Sequence, residues 1–121
     1  MLLRLLLAVE PAALHVRLRR LLKDDDVVAN KSSAAAEPLI RELGRENYDL
    51  VITSRSVLAN SEQDVLTSIG SLPEPPEIVV VSEQDDSEDR AQLLAAGCLL
   101  VLHAGVSNKS LREALAAVLS R

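Results

Sequence analysis

Few side chains in these 121 residues are spaced for chemistry, and those that are follow short apolar runs. Ser54 comes just after Leu50-Val51-Ile52, Ser82 directly after Ile78 to Val81, and His103 directly after Leu99 to Leu102. A hydroxyl at the end of a strand can accept a phosphoryl group or hold a small anion. It can equally bond to the backbone of its own loop, the common role of serine in turns. Asp85 and Asp86 lie just beyond Ser82, where carboxylates either hold a cation or solvate a loop and cap a helix. His103 is a pH-sensitive contact or a plain surface histidine. Cys98 is a reactive thiol only with a depressed pKa; otherwise it is a small half-buried side chain at a corner.

The familiar catalytic and cofactor fingerprints are missing. Gly44, Gly70, Gly97 and Gly105 are scattered, so there is no G-x-G-x-x-G and no phosphate-cradling G-K-[ST]. There is no G-x-S-x-G elbow. Carboxylate pairs and nucleophile–base pairs are also absent at the ends of the apolar runs, which argues against an enzyme. One Cys with His15 and His103 is too small a set for structural zinc, so no metal and no cofactor is expected. A lone cysteine makes no internal disulfide, which points to the reducing cytosol.

Composition narrows the classes further. The 13 basic and 18 acidic residues leave a net charge of −5, and Tyr48 is the sole aromatic. Nucleic-acid modules need a basic face and usually stacking platforms, so direct DNA or RNA binding is not expected. Arg17, Arg19 and Arg20 make a small basic patch that reads as solvated helix surface. The leading MLLRLLLAVEP is too short an apolar run for a membrane span of roughly 20 residues, and Glu10 and Pro11 end it.

The elements that must position these residues alternate. Leu5 to Val9, Val27 to Ala29, Tyr48 to Thr53, Ile78 to Val81 and Leu99 to Leu102 read as strands, most of them solid apolar runs. Between and after them lie helical patterns. Leu14, Leu18, Leu21 and Leu22 follow Pro11, placed in a first turn; Asp24 to Asp26 make a solvated turn. Ala36, Leu39, Ile40 and Leu43 form a stripe with Ser32 or Ser33 as N-cap and Gly44 or Asn47 at its end. Val65, Leu66 and Ile69 follow a Ser61–Asp64 cap and stop at Pro73, Pro75 and Pro76. Leu93 and Leu94 follow an Asp86–Asp89 cap and stop at Gly97; Leu111, Ala114, Leu115, Val118 and Leu119 follow Ser107. Five β-α units with solid strands predict a single α/β domain over 1–121, an open parallel sheet sandwiched between two helical layers. Its functional crevice lies beyond the carboxyl ends of the strands.

At those ends the chain resembles the receiver domain of bacterial response regulators along nearly its whole length. The resemblance rests on Leu5-Leu6-Leu7-Ala8-Val9-Glu10-Pro11, on Tyr48-Asp49-Leu50-Val51-Ile52 and on Ile78-Val79-Val80-Val81-Ser82. Its most specific stretch is Asp89 to Cys98, which reads as the family's fourth helix ending in an Ala-Gly-Ala corner before the fifth strand. It implies a flavodoxin-like fold of strand order 2-1-3-4-5. It also implies phosphoryl transfer to an Asp ending the third strand, with Mg²⁺ on an acidic pair after the first, because a hard cation takes carboxylate oxygens.

Carried over residue by residue, most of that chemistry is missing. The acidic pair falls on Ala8 and Val9, the phosphoacceptor on Ser54, the phosphate-binding Lys on Ala104 and the switch aromatic on Val101. Ser82 alone keeps the Ser/Thr position. Shifting the first alignment by one brings Glu10 to the rim, a single carboxylate that would bind Mg²⁺ weakly. Ala and Val ligate no metal, and a neutral serine without a base is a poor nucleophile.

The expectation is therefore an atypical receiver, a pseudo-receiver that works by protein contact without phosphate. It would serve a larger cytoplasmic regulator such as a transcription factor, from which the chain ends at Arg121 as an excised domain. Leu99 and Leu100 replace a stretch often acidic in the family, on the edge strand of the face made by the fourth helix, fifth strand and fifth helix. They serve self-association or a protein partner, or they pack under the flanking helices. The alternative function is a small-metabolite module using the loops at Ser54 and Ser82.

Overall fold

A strand of consecutive leucines has no polar face to show to water, so it must be covered on both sides. In the computed structural model, which describes residues 3–23, 27–58 and 62–120, the first strand lies inside a five-stranded parallel sheet. The strands are β1 (Leu3–Ala8), β2 (Val27–Lys31), β3 (Leu50–Ser54), β4 (Glu77–Ser82) and β5 (Leu100–His103). Their order is β2-β1-β3-β4-β5, as expected. The helices are α1 (Ala12–Leu22), α2 (Ala36–Arg45), α3 (Arg55–Leu58), α4 (Glu62–Gly70), α5 (Ser87–Ala95) and α6 (Asn108–Leu119). The face expected for partners, named there by its fourth and fifth helices, is thus α5–β5–α6.

Period-two alternation splits the core into two aliphatic layers. Leu5, Leu7 and Val9 turn to one side with Ile52, Val79 and Val81, where Leu14, Leu18 and Leu22 of α1 and Leu111 and Leu115 of α6 cover them. Leu6 and Ala8 turn to the other side with Val51 and Val80, under Leu39 and Leu43 of α2, Leu58 of α3, Val65 and Ile69 of α4 and Leu93 of α5. All five residues of β3 are buried, which puts its end at the middle of the molecule.

Several local expectations are corrected. Pro11 is the N-cap of α1, one place before the first turn. Neither Ser32 nor Ser33 caps α2; Ala35 does, without a side-chain bond, because β2 runs on to Lys31 and the chain stays extended until Ala35. Neither Gly44 nor Asn47 ends α2, whose C-cap is Glu46. Tyr48 precedes β3, β5 starts at Leu100 after Leu99, and the one-turn α3 was not foreseen. The turn at Asp24–Asp26 and the Ser61–Asp64 cap fall outside the described residues.

Other signals match. Asp86 caps α5 by accepting from the amides of Glu88 and Asp89, and Ser107 caps α6 through the Ser110 amide. Gly97 closes α5 at φ 110°, a conformation that strains any residue with a Cβ. Around it the Gly97 amide reaches the Leu94 carbonyl at 3.2 Å and the Cys98 amide reaches the Leu93 carbonyl at 3.1 Å. That is the paired closure of a Schellman end, and the buried Cys98 and Leu93 supply its apolar contact.

Candidate functional site

The carboxyl ends of β1, β3 and β4 open on a cleft of about 610 Å³. Register brings them together: Ala8 lies beside Thr53, and Ser54 beside Val81. Glu10, Ser54, Arg55, Ser56, Ser82, Glu83, Asp86 and Asp89 are among its lining residues.

Ser54 is 3% exposed. Its hydroxyl accepts from the Glu10 amide at 2.8 Å and donates to the Glu10 carbonyl at 3.0 Å. The Ser82 hydroxyl is held likewise, donating to the Gln84 carbonyl at 2.9 Å and accepting from the Gln84 amide at 3.2 Å. Of the two roles open to these serines, backbone bonding is the one this geometry contains. Thr53 adds a third tie by donating to the Ala8 carbonyl at 2.9 Å.

Ala8 and Val9 are buried on opposite sides of the sheet, one in each aliphatic layer. Glu10 alone brings a carboxylate from this loop to the cleft, and its side chain is exposed. Among the described residues, no group of three or more His, Cys, Asp or Glu side chains is placed to hold a metal ion. Asp86 serves as the α5 cap, and Asp85 pairs with Arg90 at 3.1 Å.

Ala104 is half-buried against the α1–α6 layer, and Val101 packs half-buried against the other. Leu99 and Leu100 are also half-buried; Leu100 joins the α1–α6 layer. His103 holds its Nε2 3.1 Å from the Glu83 carbonyl oxygen. Its ring lies over Gly105, where a Cβ would come within 2.7 Å of the imidazole.

Two arginines carry geometry that the sequence reading missed. Arg55 pairs with Asp89 in a two-point contact, Nε to Oδ2 at 2.9 Å and Nη2 to Oδ1 at 3.1 Å. Arg17, assigned above to a solvated patch, turns inward instead. Its guanidinium donates to the carbonyls of Ala104 at 2.6 Å and Val106 at 2.5 Å and to Asn108 Oδ1 at 2.6 Å. The strand order held a signal for the first pair: Arg55 follows β3 and Asp89 lies in the first turn of the helix after β4, the neighbouring strand. The second had no local signal, because 87 to 91 residues separate the partners.

Elsewhere, His15 is buried on α1 with no hydrogen-bond partner at Nε2 among the described residues. Burial lowers its pKa, and the charges of Lys31 and Arg19 lower it further. Tyr48 lies buried beneath the Arg4 guanidinium, 5.2 Å from its ring centroid, and donates to Glu42 at 2.9 Å. Burial is the main cause raising its pKa. No helix among the described residues is long and apolar enough to cross a membrane.

No protein-family model and no curated protein matches the chain. Solved structures do. The signal receiver domain of a LuxO repressor protein from Vibrio parahaemolyticus aligns with a TM-score of 0.84 and 20% identity over 100% of this chain and 92% of that one. A response regulator from Thermotoga maritima aligns with a TM-score of 0.84 and 17% identity, with both chains fully covered. A protein described as the pilus assembly protein CpaE of Burkholderia thailandensis aligns with a TM-score of 0.79 and 21% identity over 98% of this chain and 99% of that one. At such identities the likeness carries the fold, which is the flavodoxin-like receiver fold expected above.

Proposed function

We propose that this chain is an atypical receiver domain that signals through protein contacts and takes up no phosphoryl group. The observation that carries the reading is the state of Ser54: nearly fully buried, its hydroxyl engaged in both directions by the backbone of Glu10. A hydroxyl so held has no base to activate it. Apolar Ala8 and Val9, and Ala104 where a cation would meet phosphoryl oxygens, support the same reading. Contact would run through the α5–β5–α6 face, where Leu94 is 43% exposed and Leu99 and Val101 are half-buried. The occupant is a second copy or a partner protein of a cytoplasmic regulator. The fold's appearance in a repressor and in a pilus assembly protein leaves room for transcriptional and other outputs.

The test is an amide spectrum recorded with Mg²⁺ and beryllofluoride or acetyl phosphate. The expected result is no shift at the loops following β1, β3 and β5; shifts centred on Val9, Ser54 and Ala104 would overturn the reading. Light scattering at high concentration addresses self-association, which a monomer mass refutes.

A second reading is favoured by the size of the cleft, about 610 Å³, enough for a small metabolite. A thermal-shift screen separates the two, since a metabolite that raises the melting temperature supports the binding module.

A further inference from the structure

The helix on the proposed docking face is lightly anchored. Leu93 is the only buried residue among the nine of α5, whereas α1 buries Leu14, His15, Leu18 and Leu22. Burial of one leucine is a small anchor for a helix whose Ala91, Gln92, Leu94 and Ala95 face water.

A side-chain contact also ties its first turn to the end of β3. The Asp89 carboxylate meets Arg55, which follows directly on Ser54 at the end of the central strand. The Arg55 and Asp89 side chains are 25% and 24% exposed, against 71% and 84% for the surface pair of Arg41 with Glu37. Two parallel bonds of a guanidinium to a carboxylate, partly shielded from water, are stronger and more directional than such a surface pair.

We propose that the Arg55–Asp89 pair is a latch that sets how firmly α5 lies on the sheet, so that the docking face is controlled from the crevice. This rests on the α5–β5–α6 reading for its functional meaning, while the latch stands on its own geometry. Arg55 lines the cleft and sits on α3, remote in sequence from the helix it holds. Whatever draws the guanidinium away from Asp89 frees the first turn of α5 and leaves Leu93 as its main buried hold. Asp86 keeps the N-cap intact in that state, so the helix can shift without unwinding.

Amide hydrogen exchange on the intact chain tests this. Arg55→Gln leaves α5 itself unaltered and is expected to raise exchange of the α5 amides roughly tenfold, the size of losing one partly buried charged contact. Exchange in β1 and β3 should not change. Asp89→Asn should do the same, and the double variant no more than either alone. Arg55→Lys should recover only part of the protection, because an ammonium cannot make the two-point contact. Unchanged exchange in α5, an equal rise throughout the molecule, or additive effects in the double variant would each overturn the latch. Exchange is read without any partner, so its failure leaves the docking reading standing, and a monomer mass refutes self-association without touching the latch.

Discussion

Ser54 and Glu10, 44 residues apart, are joined by two hydrogen bonds that run in opposite directions through one hydroxyl. The tie fastens the loop after β1 to the end of β3, at the point where a receiver would carry out its chemistry. Ser54→Ala leaves the Glu10 amide and carbonyl without that partner. A loss of about 1–2 kcal/mol in unfolding free energy is expected from urea titration. Ser54→Asp should cost more, since a carboxylate enters a buried place beside apolar Ala8 and Val9. Mass spectrometry after acetyl phosphate and Mg²⁺ should show no phosphoryl addition to that variant.

His15 makes stability depend on pH. Its folded pKa lies below the ordinary 6.5, mainly through burial, with Lys31 and Arg19 adding to the effect. The unfolded chain therefore binds more protons than the folded one. The contribution is fully present above about pH 6.5 and is lost as pH falls below that value toward the folded pKa. His15→Leu should flatten this part of the profile in denaturant titrations at pH 7.5, 6.5 and 5.5. An unchanged slope in the variant would remove His15 as its cause.

Arg17 holds the loop between β5 and α6 by three acceptors at once. Arg17→Ala should destabilise the chain by about 1–3 kcal/mol and speed amide exchange across residues 104–108. Arg17→Lys should rescue little, since one ammonium does not span three separated acceptors.

Gly97 has φ 110°, although a Cβ there would meet no other atom. Gly97→Ala is thus a test of backbone strain alone. A loss of about 1–3 kcal/mol is expected, read as a lower urea midpoint with the same slope.

The parts of this molecule legible in its sequence are those governed by short-range rules. Ile78 to Val81 is the clearest strand in the sequence, and Asp86, Ser107 and Gly97 are helix signals that act within a few residues. The strand order came from the family resemblance, since no local rule distinguishes 2-1-3-4-5 from other parallel orders. Ser32 and Ser33 misled because a good capping residue acts only where the chain turns, and here it stays extended to Ala35. The site was half legible. The positions of Ser54 and Ser82 followed from where the apolar runs end, but their partners did not. Arg17 and Arg55 bond to groups 34 to 91 residues away, and nothing in their own neighbourhoods marks them as different from the solvated arginines.

The place of Tyr48 governs how this protein can be watched. With no tryptophan or phenylalanine, its near-ultraviolet absorbance and intrinsic fluorescence come from one ring, packed under Arg4 just before β3. The cleft opens beyond the other end of that strand. An optical titration of the unaltered chain therefore observes a region remote from a ligand held in that cleft. A flat signal would carry no information about binding in the cleft, whereas a change caused by a cleft ligand would mean that the disturbance had crossed the sheet. A reporter attached at exposed Ser56, on the lip of the cleft, would restore sight of the end that matters.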